Sequence, residues 1–561
     1  MRSRATDAFA AAFLAVVLVF PAIATILEAA GGGAVESTPD RGGALIVSTN
    51  DDSSVRPLRV ALRTLELVGS TSAIVLPVGL VAAALLFRTD LFGRGLLASA
   101  LVVIALIPMP LHAAAWLGGF GNLGRSQALG SAPVLVGMGG AAVVHAIAAL
   151  PWVVLIIGLG LREVEPELEE AALLEGNAWS VFRRVTLRRS LGMFAAAALA
   201  TAVMTAGDMT VTDLLGIRTY AEEAYLQYQI GQGPAAAAAT AIPPLIVVGS
   251  LLFVVTERLA ALDPERIQWH ARIGRTWRLG RGRVWISLLA WCVVALLAGL
   301  PLYSLIWRAG RVNGDAAAGL LPYWSLEGLF GSLGEGARAI WPSTSRWMRK
   351  PLWASLVLAA CSTTVATAGA WCLAWSSRGR RWVRRASMAA AAAALAAPGP
   401  VAGMAFVLAY RHFDWIYDSP WIVVLAAAGR VWPYAFLLLL PSLLKIPSEL
   451  LEARRLEGLS AGAVLRRTVP RLSAGPAAGA WAVGFLLAFG ELPAVNLVAP
   501  PGLTTLPILV WGALHIGVES RLAAIALWLT AIYLVAGAAT SFALRLGRRS
   551  FDPSERARNA D

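Results

Sequence analysis

Long apolar runs separated by short polar ones dominate this chain. Twelve such runs lie near 8–30, 64–87, 95–118, 133–161, 193–213, 236–260, 284–307, 351–375, 388–411, 420–444, 475–499 and 522–545. Each has the roughly 20 residues needed to cross a hydrocarbon core of about 30 Å as a helix. Their unbroken apolarity fits helices, whose backbone groups are satisfied internally, and not the alternating strands of a barrel. The pattern predicts an all-α integral membrane protein of about twelve spans.

The polar interruptions repeat. Val164–Gly176 reads VEPELEEAALLEG, and Ile446–Gly458, 282 residues on, reads IPSELLEARRLEG. Pro151 and Pro433 share that offset; Gly207-Asp208 and Gly490-Glu491 lie 283 apart, and Pro108-Met109-Pro110 and Pro398-Gly399-Pro400 lie 290 apart. Two halves of six spans follow, in the same orientation because six is even. The expected division is 1–262, a basic cytoplasmic linker 263–283, and 284–561. Loops 31–57 and 308–350, each after the first span of its half, are rich in Gly, Ser, Asp and Pro and predict irregular structure.

Within the first polar segment, Pro166 suits the first position of a helix, and Glu167, Glu169 and Glu170 suit its positive N-terminal end. Ala171 to Leu174 continue the helix. Gly176 is expected to end or bend it by reaching φ > 0, after which Trp179–Arg184 leads back to the membrane. Small alanines on its exposed face leave room for a partner to approach.

Charge gives the orientation. The net charge of +13 is almost all arginine, Lys350 and Lys445 being the only lysines. Arginines cluster in alternate short loops, 2–4, 88–94, 183–189, 266–283, 378–385, 466–471 and 545–549, while others fall outside this pattern, Arg346 and Arg349 with Lys350 sitting in a long external loop. With both termini inside, all of these clusters are cytoplasmic, as the positive-inside rule requires. The basic pI therefore reports membrane topology and not nucleic-acid binding. The first run is long and lacks a clean small-residue cleavage site, so it reads as a retained span. Cys292, Cys361 and Cys372 sit in apolar runs and read as small buried hydrophobes.

Asp208 and Glu491, at matching places toward the external ends of spans five and eleven, either line the pathway, where they could attract a cation, or pair with a neighbouring helix. Pro108, Pro110, Pro398 and Pro400 mark either packing kinks or broken helices lining a path. No Gly-x-x-x-x-Gly-Lys-Ser/Thr sequence surrounds either lysine, so no ATPase site is expected in this chain. No catalytic arrangement or metal-ligand spacing stands out, and the histidines read as packed or interfacial.

Glu170-Ala171-Ala172-x-x-x-Gly176 resembles the EAA loop of the membrane subunits of binding-protein-dependent type I ABC importers, and Glu452-Ala453-Arg454-x-x-x-Gly458 resembles a second copy. The likeness continues, about one residue short, into Val185-Thr186-Leu187-Arg188 and Thr468-Val469-Pro470. Arg188 replaces the usual proline and Arg454 the second alanine. The resemblance implies that these residues couple the chain to two copies of a cytoplasmic ABC ATPase, which bind the ATP. It also implies a periplasmic or extracellular substrate-binding protein outside, and a multi-pass place in the bacterial inner membrane. Gly207–Leu215, Thr219–Glu223 and Pro500–Pro507 resemble fused iron(III)-type permeases, which makes iron(III) the expected cargo; thiamine, polyamines, phosphonates and other anions fit the same family. A twelve-helix secondary transporter is the rival of another class. It leaves the two EAA loops without a reason.

Overall fold

The computed structural model describes residues 4–30, 56–105, 107–121, 132–162, 164–229, 246, 248–251, 253–254, 276–312, 323–341, 351–516 and 520–549. The described residues are helical apart from loops and one two-stranded hairpin, which pairs Arg311–Val312 with Tyr323–Trp324. Among the described residues eight helices are long and apolar enough to cross a membrane, and three bent pairs, each taken as one span, raise the number to eleven. Most of the expected run 236–260 lies outside the described residues, as do 31–55 and most of the expected linker.

The bent pairs revise the even row of spans. Arg94–Ala105 meets Met109–Phe120 at 96°, and Arg381–Ala396 meets Gly399–Tyr410 at 108°. The breaks fall at Pro108 and Pro398, both with extended backbone ahead of a new helix. A proline pair cannot donate to the preceding turn and excludes helical geometry from the residue before it. These are full breaks and not kinks. Spans five and eleven also stop early, at Gly207 and Gly490, and short helices Thr210–Leu214 and Pro493–Val498 follow. The loop 308–350, expected to be irregular, carries a helix, Leu326–Ile340, whose N-cap Ser325 accepts a hydrogen bond from Gly328 N.

Each half lends its first helix to the other. Ala10, Phe13 and Val17 of the first span pack into the core of the second half, beside Trp432 and Gly369. Tyr410 donates to the carbonyl of Val16 at 2.7 Å, and Asp7 pairs with Arg380 at 3.0 Å. Conversely, Ile286, Ala290, Trp291 and Val294 of the helix Arg283–Ala309 pack against the first half. These two crossing helices are the least buried of the eight long helices among the described residues, and Gly137–Arg162 and Pro420–Leu444 the most buried. Trp285, Leu289, Val293 and Leu296 leave an apolar stripe exposed along the second crossing helix, a surface suited to lipid.

The described end of the linker is held in place. Arg283 donates to the carbonyl of Asp90 at 2.6 Å and lies 3.9 Å over the Phe92 ring. The Asp90 carboxylate accepts from Leu279 N at 2.9 Å. That bond, helped by the nearby Arg283 charge, holds the Asp90 carboxyl below the usual carboxylate range. The chain reverses beside it at Gly93, whose φ of 69° favours glycine.

Candidate functional site

Two polar helices stand at matching places outside the apolar bundle. The first runs Pro166–Glu175 with proline at its first turn and two glutamates there; the second runs Ser448–Leu456. Glu170, Ala171, Gly176, Glu452, Ala453 and Gly458 are all solvent-facing, and Ala172 is half-buried. Leu174 and Leu456, at the same repeat position, are each 90% exposed. A leucine so placed on a polar helix contributes nothing to its own fold and is suited to a partner's apolar groove.

The two helices end differently. Gly458 has φ +89°; Gly458 N donates to Arg455 O at 3.0 Å and Leu459 N to Arg454 O at 3.3 Å. This is a Schellman C-cap, which favours glycine at that position. Gly176 has φ −158° and ψ 172°, extended backbone open to other residues, so the expectation of a left-handed turn fails there. The first turn is instead taken up by Asn177, whose side chain accepts from Ser180 N at 2.9 Å and starts the return helix. Both return helices then contain a five-residue π-helical turn, Phe182–Thr186 and Val464–Thr468, at the same repeat position. Such turns are rare and are found mostly at functional sites.

Glu169 faces inward from the first polar helix with no exposed surface, and pairs with the buried Arg88 at the end of the second span. The same carboxylate oxygen accepts from Thr186 Oγ1 at 2.5 Å. Local pattern assigns Glu169 only a helix-dipole role and Arg88 only a place in a basic cluster. The signal was present in the repeat: 282 residues after Glu169 stands Leu451, an odd exchange for a surface glutamate and a natural one for a buried position.

At the other end of the bundle, Asp208, Glu491, Pro108 and Pro398 come together where the halves meet. A Cβ placed on Gly490 would lie 2.6 Å from Pro108 Cβ and 2.8 Å from the Tyr533 hydroxyl, and one on Gly207 would lie 3.9 Å from Pro398 Cα. The Gly-acid pair of each half therefore abuts the broken helix of the other. Asp208 is 6% exposed, accepts from Val211 N at 2.9 Å and lies 3.2 Å from His145 Nε2. Glu491 accepts from Ala494 N at 3.2 Å and lies 3.8 Å from Arg430 Nε. Both acids thus cap the short helix that begins at the break, and each meets a basic side chain from the most buried helix of its own half.

Two polar contacts also join the halves: His515 Nε2 to Asp213 Oδ2 at 2.8 Å, and Asn496 Nδ2 to the Tyr225 hydroxyl at 3.3 Å. Among the described residues no group of three His, Cys, Asp or Glu side chains is placed to hold a metal ion.

One family profile matches the chain twice, over residues 75–264 and 366–554; its description is binding-protein-dependent transport system inner membrane component. The two matched segments leave out the crossing first helix of each half. No curated protein sequence matches the chain.

Proposed function

This chain belongs to the inner membrane component family of binding-protein-dependent transport systems and carries two copies of its permease unit, and from that premise we propose that it is the complete translocation path of a type I ABC importer, driven through its two polar helices by separate ATPase subunits. The observation that carries this reading is the pair of exposed, repeat-related polar helices, each presenting an acid, an alanine and a 90% exposed leucine. In this reading Glu170, Ala171, Ala172 and Gly176 meet one ATPase subunit, and Glu452, Ala453 and Gly458 meet the other. ATP closes the two subunits, and each polar helix carries that closure into its half as a rocking motion. A substrate-binding protein docks on the outer loops. The halves are 1–262 and 284–561, joined by the basic segment 263–283.

The crossing first helices support such a lever action. A helix anchored in the opposite half resists separation of the two halves, so relative motion becomes rotation about the shared centre. That centre is where Asp208, Glu491, Pro108 and Pro398 meet, and it is the proposed gate. Broken helices are tolerated at membrane depth where neighbouring protein satisfies the freed backbone groups. The capping contacts of Asp208 and Glu491 give each break a fixed geometry.

Iron(III) is the proposed cargo, supported by the resemblance of Gly207–Leu215 to iron(III)-type permeases and by the acids Asp208, Asp213, Glu222 and Glu491 in and near the gate. Thiamine, polyamines, phosphonates and other anions are the alternatives within the family. The decisive experiment is affinity purification of the chain from its own membrane, followed by stoichiometry of the co-purified subunits and uptake of labelled iron(III). Two ATPase subunits per chain are expected. A chain that transports without any ATPase removes the reading and leaves the secondary-transporter class.

A further inference from the structure

Arg88 and Glu169 are 1% and 0% exposed, so their charges meet away from water. They join three elements: the end of the second span, the first polar helix, and through Thr186 the return helix. The pair is incompletely satisfied. Glu169 Oε2 and Arg88 Nε and Nη1 have no hydrogen-bond partner among the described residues. Desolvating two charges in this way offsets most of their attraction, and a buried ion pair is commonly no more stabilising than apolar packing of the same volume.

The second half shows that the fold does not need it. Leu451 replaces Glu169 and is buried at 6% exposure, and Thr468 occupies the place of Thr186. Arg378, just beyond the helix Pro351–Ser376, takes up the role of Arg88 differently. It donates to the backbone carbonyls of Leu443, at 3.2 Å, and Ile446, at the end of the neighbouring helix and not on the polar helix itself. One polar helix is therefore fixed to its span by a buried charge pair; the other is seated by the buried Leu451, with Arg378 feeling only the charge of the exposed Glu449 in its first turn.

We propose that Arg88, Glu169 and Thr186 form an ionic latch that makes the first polar helix and the second span move as one body, so that coupling through the first half depends on the latch while coupling through the second does not. Arg88 and Glu169 are positioning residues: they touch neither cargo nor ATP, and act through the helix they hold. The inference rests on the ATPase-coupling function proposed above. What the latch supplies is register. A short charged helix held only by apolar contact can shift along its seat, whereas a carboxylate with two fixed donors has one low-energy position.

The test uses the full chain assembled with its ATPase subunits and binding protein in lipid vesicles. Two variants are compared with wild type: Glu169→Gln, which keeps the side-chain shape, and the double variant Arg88→Met with Glu169→Leu, which copies the apolar seat of the second half. Both are read on the assembled fraction alone. A structural role moves assembly and melting temperature; a positioning role moves cargo transported per ATP hydrolysed. With basal hydrolysis and ATPase co-purification retained, transport per ATP is expected to fall on the order of ten-fold in both variants, within the usual range of coupling free energies. Wild-type coupling in the double variant overturns the proposal, because the pair then only avoids leaving one charge unpaired. A wild-type chain that recruits no ATPase defeats the proposed function instead. The latch is then judged by hydrogen exchange at the amides of Pro166–Glu175 in the chain alone. Faster exchange in the double variant supports it, and unchanged exchange overturns it.

Discussion

Replacing Gly458 with valine separates the two polar helices most cleanly. Gly458 sits at φ +89° in the Schellman cap, where the amides of Glu457, Gly458 and Leu459 donate to the carbonyls of Ala453, Arg455 and Arg454. A β-branched residue held in such a backbone region carries about 1–3 kcal/mol of strain. At about 1.4 kcal/mol per tenfold, that lowers the population of the intact cap by roughly five- to 150-fold. The helix relieves the strain by unwinding its last turn, since nine residues make too short a helix to persist without its ends fixed. Leu456, in that last turn, loses its fixed place. The same substitution at Gly176 meets no such cost: the backbone there is extended, and a Cβ would find Ser180 Cβ at 3.6 Å and Ala172 O at 3.7 Å, ordinary contacts. Two assays read the difference. Hydrogen exchange at residues 457–459 is expected to accelerate in Gly458→Val, with no matching change at 176–180 in Gly176→Val. In the assembled transporter, binding-protein-stimulated ATP hydrolysis is expected to fall in the first variant and hold in the second. Equal losses in the two variants, or a Gly458→Val protein with protected amides and full stimulation, would refute the reasoning.

Three further outcomes are expected. Gly490→Ala forces a Cβ to 2.6 Å from Pro108 and should cost about 1–3 kcal/mol by overpacking, read as a lower melting temperature, with Gly207→Ala milder because the nearest atom across the halves is 3.9 Å away. Leu174→Ser and Leu456→Ser should leave the melting temperature of the chain unchanged, because both side chains are 90% exposed, and should reduce ATPase co-purification; unchanged recovery would count against the leucine contact. Asp208→Ala and Glu491→Ala each remove a helix cap, at about 0.5–2 kcal/mol, and should lower uptake while the ATPase remains bound. Normal uptake in both variants would remove these acids from the gate.

Much of this architecture follows from local rules. Apolar length fixes membrane-spanning helices because the bilayer offers no partner to an exposed backbone. The proline pairs fix the two breaks because a missing N–H and a ring clash act within a few residues. The repeat offset fixes two parallel halves, and the start of each polar helix follows from Pro166 or Pro447 and the acids after it. The sharpness of the breaks was less legible, because a lone in-span proline such as Pro151 or Pro433 leaves its helix continuous. Gly176 misled for a related reason: glycine permits a left-handed turn but does not require one, and Asn177 caps the return helix without it.

What the sequence determined by itself is the composition of the parts: helices, the places where they break, two halves and two polar segments. Tertiary structure alone decided how those parts pair. Matching positions in a repeat carry the same local preferences whichever half they pack against, so the exchange of first helices between the halves leaves no mark on the offset. The same holds for Glu169. Three glutamates near the start of one short helix, Glu167, Glu169 and Glu170, have similar local energies, and only the arrival of Arg88 and Thr186 from other parts of the chain singles out the one that is buried. Long-range packing chooses among residues that local chemistry treats alike, and here that choice joins one polar helix to its span by a buried charge pair and puts a buried leucine in the same place in the other.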